Sequence, residues 1–348
     1  MLARIIPHIF LTAAAKVFDR LAKIHEERCE YVQAQRQYRR AVKILAQIPH
    51  GVAREQLRVQ VLGNLAGLYR IQGHYGKSEV LFHEVLATAQ RLFGPTDPHL
   101  AVLLTNLAVL HKYQGRFVEA RRLYRRALSI MKKTLGPAHP ELATLYHNLG
   151  GLEHARGRYA RGEPFARRAV AIRAQALGLD HPAVAADVAA LAAILAGQGK
   201  YDEVEALYRR ALDVFAQRYG PEHYELAINF NNLAALYQAK GENREAEQWY
   251  RRALAIKEKV LGSDHPDVAM TLNNLAVVYK AQGKLDQAEL LYHKALAIFG
   301  KVLEPHHPKI VTCRTNYASL LRETQRETEA TAVEPRTDSA CLRRCSGP

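Results

Sequence analysis

The sequence predicts an all-α chain, a solenoid of about seven antiparallel helix hairpins closed by a C-terminal cap helix. Three observations predict it. An Asn-Leu-Ala-like marker recurs at Asn64, Asn106, Asn148, Ala190, Asn232, Asn274 and Asn316, each forty-two residues after the last. A fixed period of this size is the signature of stacked units that pack on their neighbours. Within each unit, apolar residues recur at three- and four-residue steps in two successive stripes, as two amphipathic helices require. Glycine and proline then punctuate the stripes at fixed phase.

The unit Gly262–Leu303 shows why. Val268, Leu272, Leu275, Ala276, Val278 and Tyr279 define helix A, and Leu285, Ala288, Leu291, Tyr292, Ala295, Leu296 and Ile298 define helix B. Gly283 stands between them, where positive φ would end a helix. The connection is too short for anything but an antiparallel pair. Between units run the loops LGPAHP (135–140), LGLDHP (177–182) and LGSDHP (261–266). In each, glycine ends helix B and proline opens the next helix A.

In chain order, residues 1–11 form a hydrophobic leading segment. Met1–Ala15 has the single Arg, apolar stretch and Ala-rich end of a short signal peptide. Aligning Tyr38–Val42 with Tyr124–Leu128 instead starts the first helix A near Thr12 and favours a segment covering the solenoid's end. Repeats are then expected near 12–48, 56–93, 98–135, 140–177, 182–219, 224–261 and 266–303, with a cap at 308–323. Repeat one is divergent, with Cys29 in the glycine position, and repeat five has an alanine-rich helix A without the marker Asn. Pro335 and the polar run from Glu323 argue against a full last helix B, so 324–348 reads as a disordered tail.

The pattern N-L-A-x-L-Y-x-x-Q-G-x-Y-x-x-A-x-x-L-Y-x-x-A-L, met almost fully from Asn232 and again from Asn274, resembles the tetratricopeptide repeat. The forty-two-residue period and the LGxxHP loops resemble the kinesin light chain type of that repeat. The resemblance implies a right-handed superhelix whose helices A line a concave groove for partner peptides. It also implies which helix A positions lie open: the marker, the residue before it, and those four before and three, six and seven after. These are Val102, Thr105, Asn106, Lys112 and Tyr113, then Thr144, His147, Asn148 and His154. Asn231, Asn232 and Gln238 follow, then Asn273, Asn274 and Lys280, then Thr315, Asn316, Ser319 and Arg322.

Carboxamides donate and accept together, so an Asn row suits the backbone of an extended peptide, while Lys112, Lys280 and Arg322 suit acidic side chains. The competing reading is that the row bonds between adjacent helices. Ala186, Ala189, Ala190, Ala193 and Ala196 offer an apolar floor in repeat five. Kinesin light chains join their motor through a long heptad coiled coil, whereas here the first repeat starts within about twenty residues of Met1. The expectation is therefore a free-standing adapter, with no kinesin heavy chain as partner.

Charge and motifs bound the rest. Lys and Arg number 49 against 34 Asp and Glu, a net charge of +15 that favours acidic partners. Arg pairs recur at Arg39-Arg40, Arg125-Arg126, Arg167-Arg168, Arg209-Arg210 and Arg251-Arg252. The alternative function is a binder of nucleic acid or anionic membrane through this stripe, disfavoured for nucleic acid because no aromatic platform accompanies it. His139, His181, His265 and His307 fall in separate loops, too far apart for a shared metal. The four cysteines match no zinc or redox spacing and suggest free thiols in a reducing, cytoplasmic setting. No run reaches the eighteen apolar residues of a membrane span. No phosphate loop, GxSxG or HExxH is present, so the expectation is a non-enzymatic scaffold without cofactor or metal.

Overall fold

The computed structural model describes residues 2–334, with side chains described for residue 8 and for 10–334. These residues form sixteen α-helices and no strand, joined two by two as hairpins. The hairpins are α1 (Leu2–Glu27) with α2 (Tyr31–Leu45), α3 (Val52–Ile71) with α4 (Tyr75–Phe93), and α5 (Pro98–Tyr113) with α6 (Phe117–Leu135). Then come α7 (Leu142–Ala155) with α8 (Tyr159–Leu177), α9 (Pro182–Gly197) with α10 (Tyr201–Tyr219), and α11 (Tyr224–Ala239) with α12 (Asn243–Leu261). The series ends with α13 (Pro266–Ala281) and α14 (Leu285–Val302), then α15 (Pro308–Glu323) and α16 (Glu327–Val333). The chain divides into two compact units, one of Met1–His111 with Glu119–Leu145, the other of Lys112–Val118 with Tyr146–Pro348.

Each hairpin buries the side chains that its period places inward. Tyr38, Tyr124, Tyr208, Tyr250 and Tyr292 occupy one phase of the B helices, all under 2% exposed, and small partners such as Ala276 and Ala288, at 0%, let the helices approach. Gly283 takes φ 74° at the A-to-B turn, as its place in the pattern requires, and Cys29 holds the same turn of repeat one at φ 59°.

The recurrent histidines have a structural role that the sequence reading missed. Each caps the next helix A, its Nδ1 accepting the backbone N–H two residues on: Glu141 to His139 at 3.3 Å, Ala183 to His181 at 3.1 Å, Asp267 to His265 at 3.1 Å and Lys309 to His307 at 3.0 Å. His223 does the same for Glu225 at 3.2 Å, and Asp97, forty-two residues before His139, for His99 at 2.8 Å. An imidazole nitrogen here performs the task usually given to Ser, Thr, Asp or Asn.

Three expectations need correction. The first helix A starts at Leu2 rather than near Thr12, so residues 2–11 are the helix's own first turns; Phe10 is 70% exposed, while Leu11 packs against the core. The stretch expected to be tail from 324 continues as α16, where Ala330 is fully buried and Arg326 holds Glu289 at 2.8 Å; 335–348 lie outside the described residues. Nor do the repeats touch only their neighbours. Within the second unit the His307 Nε2–H donates to the Tyr113 carbonyl at 2.8 Å, and a side chain on Gly115 would begin 2.7 Å from Pro308.

Candidate functional site

The marker residues divide into two groups. Asn106, Asn148 and Asn232 are half-buried and have no hydrogen-bond partner among the described residues. Asn64, Asn274 and Asn316 are occupied: Asn64 donates to Asp19 at 2.8 Å, Asn274 accepts from Asn273 at 3.2 Å, and Asn316 donates to Asn273 at 3.1 Å. The row therefore bonds within the protein at Asn64, Asn274 and Asn316 and stays open at Asn106, Asn148 and Asn232.

The position before the marker, expected to be open, is closed at Thr105, Asn231 and Asn273, half-buried at His147 and exposed at Thr315. Thr105 is 5% exposed and returns its hydroxyl to the Ala101 carbonyl at 2.7 Å; Asn231 and Asn273 are each 7% exposed. Asn231 accepts from Thr271 at 3.1 Å, which in turn accepts from the fully buried Lys257 at 2.9 Å. Asp267 anchors this network, bonded by Tyr224 and with Lys309 at 3.5 Å. Burial opposes its ionisation, yet Lys309, Lys257 and His265 outweigh that and hold the carboxyl below the usual range. Burial likewise pulls Lys257 down to about 8 despite Asp267. His147 donates from Nδ1 to Asp187 at 2.7 Å, and Arg173 holds the other carboxylate oxygen at 2.6 Å.

The expected acid-selecting cations are largely engaged. Lys280 pairs with Glu323 at 3.0 Å and reaches Ser319 at 2.7 Å; Arg322 pairs with Glu327 at 3.1 Å and Glu334 at 2.7 Å. Lys112 lies 5.4 Å from the Tyr113 ring centroid, and Lys309 approaches the same ring at 5.6 Å. Gln238 accepts from Tyr250 at 3.1 Å.

The first unit instead holds an open cavity of about 530 Å³ between α1, α3 and α5. Asn106, Asn64, Gln56 and Gln60 supply its carboxamides, Lys16 its ammonium, and Val102 with Phe93 an apolar wall. Lys16 is exposed and has no anionic partner among the described residues. Sequence reasoning named Val102 and Asn106 but missed the others. The signal was present: Gln60 stands four residues before Asn64, the offset that gives Val102 from Asn106.

The arginine stripe is mostly internal structure. Arg39 donates to the Tyr69 hydroxyl at 3.0 Å, Arg209 to Tyr237 at 3.0 Å and Arg251 to Tyr279 at 2.8 Å. Of the second members, Arg40 lies 5.9 Å from Phe18, Arg168 5.4 Å from Tyr146 and Arg252 4.5 Å from Phe230, and Arg210 pairs with Asp180 at 3.3 Å. A glutamate at one phase ties successive repeats of the second unit. Glu163 holds Arg167 at 2.8 Å and Lys200 at 3.1 Å, Glu205 holds Arg209 at 2.8 Å and Lys240 at 2.9 Å, and Glu247 holds Arg251 at 2.8 Å and Lys284 at 2.9 Å. The bonds from Gln198, Arg167 and Lys200 hold Glu163 down to about 2, and those from Arg209, Lys240 and Tyr237 do the same at Glu205.

Stacked helix hairpins that present open carboxamides along one set of helices define a helical-repeat interaction scaffold. The chain belongs to the tetratricopeptide repeat family, whose repeats match at 57–133, 102–175, 141–216, 184–259, 231–301 and 267–333. Solved structures similar to it include BtubC (BKLC) from P. vanneervenii, 28% identical over 65% of this chain and 91% of that one, with a TM-score of 0.48. A protein assigned as a kinesin light chain with nearly identical TPR-like repeats, from Podosopora anserina, is 26% identical over 60% and 94%, with a TM-score of 0.44. A Rap protein complexed with Competence and Sporulation Factor is 14% identical over 95% and 98%, with a TM-score of 0.65, a likeness of fold. Among curated proteins none matches the chain significantly. Among the described residues no helix is long and apolar enough to cross a membrane.

Proposed function

We propose that the chain is a non-enzymatic adapter that holds an extended peptide segment of a partner protein against its helices A, with the first-unit cavity as anchor. The observation that carries this is the coincidence of the unpartnered Asn106 with that cavity. A half-buried carboxamide without a protein partner has a donor and an acceptor to offer a peptide backbone. Asn148 and Asn232 extend the same chemistry in the second unit. Lys16, rather than Lys280 or Arg322, would take an acidic side chain of the peptide, and Val102 with Phe93 an apolar one. A cytoplasmic setting fits the free thiols of Cys29 and Cys313.

The test is a peptide-display selection on the full chain at near-physiological salt, beside an Asn106→Ala/Lys16→Ala variant. Enrichment of a short motif with an acidic residue, lost in the variant, is expected. Enrichment of the same peptides by both proteins would sink the assignment of the anchor.

A further inference from the structure

We propose that α6 carries a second docking surface, for an acidic helical segment of a partner protein. The case begins with one position. Where Glu163, Glu205, Glu247 and Glu289 stand at forty-two-residue steps, the residue forty-two before Glu163 is Arg121. The glutamate that accepts the arginine four residues on in α8, α10 and α12 is therefore missing from α6. Arg125 and Arg126 are exposed, and neither has an anionic partner among the described residues. The same holds for Arg122 and Lys133.

These four cations share a face. Arg122, Arg126, Ser129 and Lys133 follow at steps of four, three and four residues, with Arg125 beside them, so they line one stripe of three helical turns. The stripe runs about 17 Å at ~1.5 Å per residue. The phases of Arg125 and Arg126 are basic in other B helices too, but the full set of four unpaired cations occurs in α6 and not in α8, α10, α12 or α14. The positions equivalent to Arg122 are Pro164, Ala206, Gln248 and Leu290, and two lysines at the phase of Lys133, Lys259 and Lys301, are paired with Glu222 and Asp264.

The spacing selects the occupant. Cations set at whole turns of ~5.4 Å, with Ser129 on the one turn between Arg126 and Lys133, match carboxylates on a second helix, which repeat at the same pitch. Alternate residues of an extended strand repeat every ~6.6 Å and drift out of step. Arginine forks engage carboxylates in pairs of hydrogen bonds, which favours Glu or Asp over diffuse negative charge. Nucleic acid fits poorly. The exposed stripe holds no aromatic ring on which a base could stack, since Tyr124 is fully buried. Four cations also fall short of the roughly six to ten phosphate contacts of a strong duplex binder.

The test is fluorescence anisotropy on the full chain at about 100 mM salt. The probe is a labelled alanine-based peptide of about twenty residues with Glu at i, i+4, i+7 and i+11. Arg122→Glu/Arg126→Glu should weaken binding at least about tenfold, and Arg122→Gln/Arg126→Gln should fall between it and wild type. Arg210→Glu/Lys294→Glu makes the same charge change at the phase of Arg126 and should stay within about twofold, as should Asn106→Ala/Lys16→Ala in the groove. Circular dichroism confirms that each variant is folded. Equal loss in both reversal variants would reduce the effect to net charge and overturn the proposal. So would equal binding of a scrambled peptide with Glu on all faces, tighter binding of a single-stranded oligonucleotide of about ten bases, or no binding by the wild type.

Discussion

Helices α5 and α13 carry the same marker in opposite states. In α5, Thr105 turns back to its own backbone, and Asn106 faces a cavity with no partner among the described residues. In α13, Asp267, Thr271, Asn273 and Asn274 are all engaged by side chains of α11, α12 or α15, or by each other. One consensus therefore serves two ends. Where neighbouring helices supply polar partners, the carboxamides join repeats; where they do not, the carboxamides remain available. The contrast predicts that polar substitutions in α13 cost stability and that the corresponding ones in α5 cost binding.

The largest effect is expected at the anchor of the α13 network. The Asp267 carboxylate pairs with Lys309 and supplies the counter-charge to the buried Lys257, so its removal strands buried positive charge, which costs about 3–5 kcal/mol. Asp267→Ala should fall near the lower end, because Lys257, already drawn down to about 8, can release its proton more readily than an ordinary lysine. Urea unfolding at pH 7 reads this directly. A loss under about 1 kcal/mol would show that the buried network contributes specificity of packing and little stability.

Next in size is an acid-sensitive cap. His307 must be neutral for Nδ1 to accept from Lys309 while Nε2–H donates to Tyr113, and burial lowers its pKa from 6.5 to about 4 against the pull of the Tyr113 bond. The folded form thus resists a proton that the unfolded chain takes up. Stability from this group is complete above about pH 6.5 and is lost as the pH falls toward 4, by up to about 3 kcal/mol. His307→Asn keeps a capping oxygen without the titration, so its stability should decline less than wild type across that window. Parallel declines would assign the acid loss to other groups.

A smaller loss is expected from the carboxamides themselves. Asn231→Ala removes one of the two acceptors of Thr271, which keeps the Asp267 carbonyl at 3.1 Å, and Asn273→Ala removes the partner of Asn316. Each should cost about 1 kcal/mol in thermal or urea unfolding, the net worth of a typical hydrogen bond. Losses within 0.5 kcal/mol would place water where the carboxamide was and weaken the contrast between the two helices.

What was legible in the sequence follows the same division. The hairpins, their phase and the glycine turns were readable because each repeat states them again, so Gly283 and the buried tyrosines fall where periodicity puts them. The ends were less legible. α1 and α16 are divergent copies, with Cys29 and Gln325 in place of the turn glycine, and local composition at 1–11 and 324–334 pointed to a leader and a tail. Open and occupied Asn positions could not be told apart, because the difference lies in residues forty or more positions away, as Asp19 is from Asn64. The capping role of the histidines was not legible either, because it depends on a ring nitrogen meeting a backbone N–H two residues on.

The smallest change in stability, and the sharpest separation of the two helices, is expected for Asn106→Ala. No bond is broken within the protein, and alanine is the better helix former by a few tenths of a kcal/mol. Unfolding should therefore shift by less than about 0.5 kcal/mol, in either direction. Peptide affinity should respond instead: loss of one or two backbone hydrogen bonds, each worth ~0.5–1.5 kcal/mol, predicts roughly a two- to tenfold weaker complex by anisotropy with a display-selected peptide. The matched variant Asn274→Ala, whose side chain bonds Asn273, should show the reverse ordering, with more stability lost than affinity. If the two variants behave alike, the state of the marker has no bearing on binding, and the cavity beside Asn106 loses its claim as the anchor.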